Sequence, residues 1–188
     1  MPIFSNSKIK LQNGIYKLCG FYKYEKTLNL SNVQSKIYQK NYVSFYRLRR
    51  DEDWIKQYFN ILDIYYKKKQ NGKKYCFRDI LQDLYNIPSK SKKGVLQSKI
   101  EMSFASKLLH TIDPNFPIWD SQVRKKLGIN GSVKTIDDGD KAYNKLCACY
   151  ASMKNDPQFK TFVSNFDSLF PKFSGVTETK KIDFYLWL

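Results

Sequence analysis

Histidine is nearly missing from this chain: His110 is the single one in 188 residues. The four cysteines, Cys19, Cys76, Cys147 and Cys149, are scattered and form no C-x-x-C pair. These shortages exclude a zinc site of the usual ligand spacing, and no metal or other cofactor is expected. Cys147 and Cys149 stand two apart in a stretch of helical character and point to different faces, which suits buried thiols better than a ligand pair. Unpaired thiols fit a reducing, cytoplasmic setting. No apolar run of about 18 residues occurs and the opening MPIFSNSKIK has no apolar core, so neither a membrane span nor a signal peptide is expected. Internal repeats, low-complexity tracts and a convincing pair of strands are also absent from the sequence.

Acidic residues are the other scarcity. Asp plus Glu number 17 against 33 Lys plus Arg, a net charge of +16. Such a surplus makes the folded chain repel itself and points to a polyanionic partner, nucleic acid first. The competing explanation is compositional, since a chain rich in Lys, Asn, Ile and Tyr reflects AT-rich coding; that bias raises Lys without lowering Asp and Glu. Hydrophobic residues at 42% and aromatics at 16% supply enough apolar surface to fold without disulfides or metals, as one domain over residues 1–188 acting as a monomer.

Helical periodicity dominates what is there. Residues 1–30 read as an irregular aromatic arm or as a short hairpin turning at Asn13-Gly14. Ser31 is a candidate cap for a helix carrying Val33, Ile37, Tyr38, Tyr42 and Phe45 inward. Asp51, Glu52 and Asp53 at one end and Lys67, Lys68 and Lys69 at the other match the poles of a helix whose stripe is Trp54, Ile55, Tyr58, Phe59, Leu62 and Tyr65. Five lysines between Lys67 and Lys74 make a basic stretch suited to a phosphate contact, or simply solvated. Phe77 to Asn86 predicts a short helix before Pro88, and Gly128 to Asp140 a loop. Helices follow over Lys141 to Met153, from Asp156-Pro157 to Phe170, and over Thr179 to Leu188, with Lys172 to Val176 as linker. About seven or eight helices with no sheet make the fold class all-α, a compact multi-helix globule.

Ser98 to Gly128, SKIEMSFASKLLHTIDPNFPIWDSQVRKKLG, is the one stretch where a reaction can be placed. Ser98-Lys99-Ile100-Glu101 has the form of a capping box, which puts a helix start just after Ser98. Ile100, Phe104, Ala105, Leu108, Leu109 and Ile112 make its buried stripe, and Lys99, Ser103, Ser106, Lys107 and His110 its polar face. Asp113-Pro114 ends this helix, while Phe116, Ile118 and Trp119 anchor the turn. Asp120 then caps a short helix holding Val123 and Leu127 and closed by Gly128. Arg124, Lys125 and Lys126 stand beside that carboxylate. An aspartate so placed is most often only a cap.

The order of helix, Pro-containing loop and Asp at the next helix start resembles the helix-hairpin-helix Gly/Pro-Asp superfamily of base-excision DNA glycosylases, over residues 95–128. Phe116-Pro117-Ile118-Trp119-Asp120 stands where that family has a V-P-V-D-like string. Asp120-Ser121-Gln122-Val123-Arg124-Lys125 keeps the apolar and final basic positions of its D-x-H-V-x-R continuation, with Gln122 in place of His. Ala105 falls at the Ala of the family's K-x-A string. Ser103 replaces the Lys that forms a Schiff base in bifunctional members, and Lys99 and Lys107 lie on the same face out of register. Leu96 to Glu101, in the place of the hairpin that grips phosphates, contain none of its glycines.

The resemblance implies a DNA glycosylase-like fold, with two helical subdomains flanking a cleft. It also implies a hydrolase of base-excision repair that cuts the N-glycosidic bond of a damaged or modified base through Asp120, with Lys99 or Lys107 in support and no lyase step. A flipped base needs a pocket, for which Trp119 and Trp187, then Trp54, Phe184 and Tyr185, are the aromatic candidates, each more often core than pocket. Phosphate contacts fall to Lys90, Lys92, Lys93, Lys99, Arg124, Lys125 and Lys126, joined by Arg47, Arg49 and Arg50. Two rival readings stand beside this one. In the first the chain is a basic nucleic-acid-binding helical protein with the architecture and no activity; in the second it is a helical interaction protein whose basicity is compositional.

Overall fold

In a computed structural model, which describes residues 3–14, 19–90 and 95–188, the helices follow one another as α1 (Ser7–Asn13), α2 (Cys19–Thr27), α3 (Lys36–Tyr46), α4 (Glu52–Gln70) and α5 (Phe77–Tyr85). A two-residue ladder of β1 (Ser89–Lys90) and β2 (Leu96–Gln97) comes next. The chain then runs through α6 (Met102–Ile112), α7 (Ser121–Lys126), α8 (Ile136–Lys154), α9 (Phe159–Leu169) and α10 (Glu178–Trp187). The all-α class holds, with the short antiparallel ladder, Ser89 opposite Gln97, as its one exception among the described residues. Among those residues no helix is long and apolar enough to cross a membrane.

The N-terminal arm is helical, which corrects the expectation of irregular chain or a hairpin at Asn13-Gly14. Phe4, ahead of α1, stacks on Phe162 of α9 at 4.5 Å between ring centres, and Tyr24 of α2 is 1% exposed. Ile15 and Tyr16 lie outside the described residues. The next helix also shifts. Ser31 sits in a 3₁₀ turn, Leu30–Asn32, and Ser35 precedes α3. The inward face is therefore Tyr38, Tyr42 and Tyr46, four apart, and Ile37 points outward at 75% exposure.

α4 has the bounds its charges dictate: Asp51 Oδ1 accepts the Trp54 N–H at 2.9 Å, and Lys67, Lys68 and Lys69 fill the last turn. Each of those three lysines has a local partner. Lys67 donates to Asp63, Lys68 lies over the Tyr65 ring and Lys69 donates to the Ile112 carbonyl at the end of α6.

The helix at the centre is α6, packed on α4 and α5. It begins at Met102, three residues later than the capping box implied. Glu101 is taken by Arg50, whose guanidinium lies over the rings of Trp54 and Phe104 at 5.7 and 5.1 Å; Ser98 is exposed beyond β2. Eight of its eleven residues are buried, among them Thr111 and, from the face expected to be polar, Ser106 and His110. A helix buried nearly all round keeps polar groups only where each has a partner. Thr111 Oγ1, for one, donates to Lys107 O at 2.7 Å and meets the Tyr42 hydroxyl at 3.0 Å.

α8 starts at Ile136, inside the stretch expected to be loop. Thr135 Oγ1 accepts Asp138 N–H while Asp138 Oδ2 accepts Thr135 N–H, a reciprocal cap. Gly139 disguised this start: it lies where α5, α6 and α8 meet, and a Cβ there would come within 2.6 Å of Leu81 Cδ2 and 2.9 Å of Met102 Sδ. α9 begins two residues beyond Pro157, after Asp156 Oδ1 accepts the Gln158 N–H. The linker expected after Pro171 contains a 3₁₀ turn that buries Phe173.

Candidate functional site

Residues 114–117, the turn leading to Asp120, expose four consecutive carbonyls that no helix satisfies. Each is taken by a side chain from outside the turn. Thr177 donates to Pro114 O at 2.8 Å, Thr179 to Asn115 O at 2.9 Å, and Tyr143 to Pro117 O at 2.7 Å. His110 Nδ1 bonds Phe116 O at 2.6 Å. At the end of the turn the Trp119 N–H donates to Ser106 Oγ at 2.9 Å. A loop held at every carbonyl by α6, α8 and the start of α10 has one geometry, and Asp120 inherits it.

His110 is a lock and not a base. A carbonyl can only accept, so Nδ1 carries the proton, and Nε2 accepts from the Tyr24 hydroxyl at 2.8 Å. Burial, and then the Lys180 charge, push the imidazole down to about 3, which keeps it neutral.

Asp120 is half-buried and caps α7: its Oδ1 accepts Gln122 N–H at 2.8 Å and Val123 N–H at 3.4 Å. The other oxygen, Oδ2, takes no hydrogen bond among the described residues. Gly128, at φ +64, closes the helix, with Ile129 N–H returning to Arg124 O at 2.9 Å. Two amines feel the Asp120 charge. Lys107 of α6 donates to Tyr46 O at 3.0 Å, and burial lowers its ammonium's affinity for the proton while Asp120 supports it. Lys180 of α10 is lowered by burial likewise, and is supported by Asp183 first and Asp120 second. Asp183 is 4% exposed, accepts the Tyr150 hydroxyl on Oδ1, and is pushed up to about 6 by burial.

The remaining candidates scatter. Trp119 is 6% exposed with the Arg124 guanidinium 4.8 Å over its ring, while Trp187 is 50% exposed. Trp54, Phe184 and Tyr185 are core. Lys99, Lys125 and Lys126 are exposed, and no described contact joins Lys99 to Asp120. Lys90 belongs to β1, and Lys92 and Lys93 lie outside the described residues. Arg50 is committed to Glu101, whereas Arg47 and Arg49 are exposed. Leu96 to Glu101, the place of the expected hairpin, is strand and extended chain. Two cavities, of about 270 and 400 Å³, are lined by α1 with Leu188 and by Tyr24, Pro114 and residues 172–177; neither touches Trp119, Asp120 or Trp187. Among the described residues no three His, Cys, Asp or Glu side chains gather as a metal set.

Lys180, Asp183 and Tyr150 were not singled out by sequence reasoning. The available signal was a Lys and an Asp three apart inside an otherwise apolar terminal helix, KKIDFYLWL, where a charge needs a partner.

The buried groups make stability depend on pH with two opposite signs. Between 6.5 and about 3 the unfolded chain binds a proton on His110 that the folded chain refuses, so stability falls as pH falls. Between 3.8 and about 6 the folded chain holds a proton on Asp183 that the unfolded chain releases, so this group's contribution rises as pH falls. Urea unfolding at pH 7 and pH 4 is expected to show a shallower acid loss in His110→Gln and a steeper one in Asp183→Asn than in the wild type.

Neither a family model, nor a curated protein, nor a solved structure matches this chain.

Proposed function

We propose that this chain binds duplex DNA and hydrolyses the N-glycosidic bond of a damaged or modified base, with Asp120 as the catalytic carboxylate. The observation that carries the reading is the locked turn: four carbonyls and one N–H are fixed by side chains to hold one half-buried carboxylate whose charge reaches the part-buried Lys107 and Lys180. A plain helix cap needs none of this, and titratable groups gathered by burial and mutual charge are commoner at reactive sites than elsewhere. Departure of the base leaves positive charge on the sugar. A fixed carboxylate stabilises that charge and orients the attacking water. The resemblance to base-excision glycosylases gives the reaction class, and Ser103 in place of the amine that would attack the sugar favours hydrolysis alone. Lys107 supports Asp120 through charge, and the free thiols Cys76, Cys147 and Cys149 suit a reducing, cytoplasmic compartment.

The surplus of +16 supplies the DNA contact. If Lys99, Arg124, Lys125 and Lys126 each neutralise one phosphate, the slope of log affinity against log salt is about −3.6, or about a hundredfold loss between about 50 and about 200 mM salt. Fluorescence anisotropy with a labelled duplex measures it; a flat response would remove nucleic acid from the account. A second reading, DNA binding without catalysis, is favoured by one observation: neither described cavity opens on Asp120. It gives the same salt slope with no base release, so an assay on duplexes carrying oxidised, deaminated and alkylated bases separates the two.

A further inference from the structure

We propose that Lys180 is the positioning residue of the Asp120 site: its ammonium pairs with the buried Asp183 on α10, the helix packed on α7, so that α10 carries the counter-charge of the Asp120 carboxylate. The catalytic part of this inference rests on the glycosylase reading; the pairing itself does not.

Lys180 is 14% exposed at its side chain and Asp183 5%, with Nζ 3.9 Å from Asp183 Oδ2 and 4.3 Å from the centre of the Tyr24 ring. Asp183 Oδ1 is held by Tyr150, while Oδ2 is buried and takes no hydrogen bond among the described residues. The Lys180 ammonium likewise donates no hydrogen bond there, whereas Lys107, the other amine that feels Asp120, is committed to Tyr46 O. A buried carboxylate oxygen with an unspent acceptor beside a part-buried ammonium is costly as scaffold.

The frame that holds Lys180 is also the frame that holds Asp120. Thr177 Oγ1 accepts the Lys180 N–H at 3.2 Å to cap α10 and donates to Pro114 O in the turn before Asp120. α10 packs directly on α7. The charged and titratable groups around Lys180 are Asp183 from its own helix, Asp120 from α7, His110 from α6, Tyr24 from α2 and, through Asp183, Tyr150 from α8. His110 is held neutral by burial first and the Lys180 charge second, so the net pull on the ammonium comes from the two aspartates. In the reaction no bond forms to Lys180. Its charge holds the Asp120 carboxylate in place while the base departs.

Side-chain ¹⁵N–¹H NMR of the lysine ammonium groups follows the Lys180 titration directly. Asp120→Asn, which keeps the cap, is expected to lower the Lys180 midpoint by about one pH unit, because one of two supporting charges is removed. A midpoint that ignores Asp120→Asn overturns the pairing, whatever the assay shows. In base release, Lys180→Met is expected to lower kcat by about tenfold to a hundredfold with KM little changed, and Lys180→Arg to recover most of it. An unchanged kcat in Lys180→Met overturns the positioning role. Wild-type protein that releases no base while the Lys180 midpoint still answers to Asp120 overturns the glycosylase reading and upholds the pairing.

Discussion

Trp119→Ala is expected to lower the free energy of unfolding by about 3–5 kcal/mol, a fall in Tm of about 10 °C for a chain of this length. Trp119 is 6% exposed, carries Arg124 over its ring, and uses its backbone N–H to bind Ser106 inside α6. Removing the indole opens a cavity at the point where the locked turn meets α7 and takes away the ring under Arg124, while the backbone N–H keeps its bond to Ser106. Trp187→Ala, at a half-exposed site, is expected to stay within about 0.5 kcal/mol. Thermal and urea unfolding of the two variants compare them directly. The opposite ranking would mean that Trp119 is not the packing residue its burial indicates.

The second large effect separates stability from chemistry at one residue. Asn caps a helix as well as Asp does, so Asp120→Asn is expected to unfold within about 0.5 kcal/mol of the wild type, whereas Asp120→Ala loses about 1 kcal/mol with the bonds to Gln122 and Val123. Base release is expected to fall by about a hundredfold to a thousandfold in both variants, because neither carries the charge that stabilises the developing cation. A cap with no further role would show the reverse: Asp120→Asn silent in every assay.

Much of this fold could be read from residue spacing. The charged poles of α4 and the Asp120 cap depend on neighbours three or four residues away, and such signals survive in a linear string. What failed depended on contacts distant in sequence. Ser106 and His110 look like a polar face until the turn at 114–119 and Tyr24 of α2 supply their partners, and Thr111 meets Tyr42 of α3. Gly139 looks like a loop breaker until α5 and α6 press against it. Ser98 and Glu101 spell a capping box, yet Arg50, 51 residues away, takes the glutamate.

The site divides in the same way. Asp120 could be placed by its capping position and Lys107 by helix periodicity. The four side chains that fix the turn come from positions 110, 143, 177 and 179. Lys180 and Asp183 belong to the last helix, which reaches the Asp120 end of the fold only through the packing of α10 on α7. Periodicity marks which side of a helix is buried but carries no information about which helix it is buried against.

Single-turnover release of free base from duplexes carrying oxidised, deaminated or alkylated bases, with wild type and Asp120→Asn side by side, tests the central claim most directly. The account predicts release of at least one base class by the wild type and its loss in the Asn variant at unchanged fold and DNA affinity. Release that is equal in both proteins, or absent from the wild type across the panel, would contradict it.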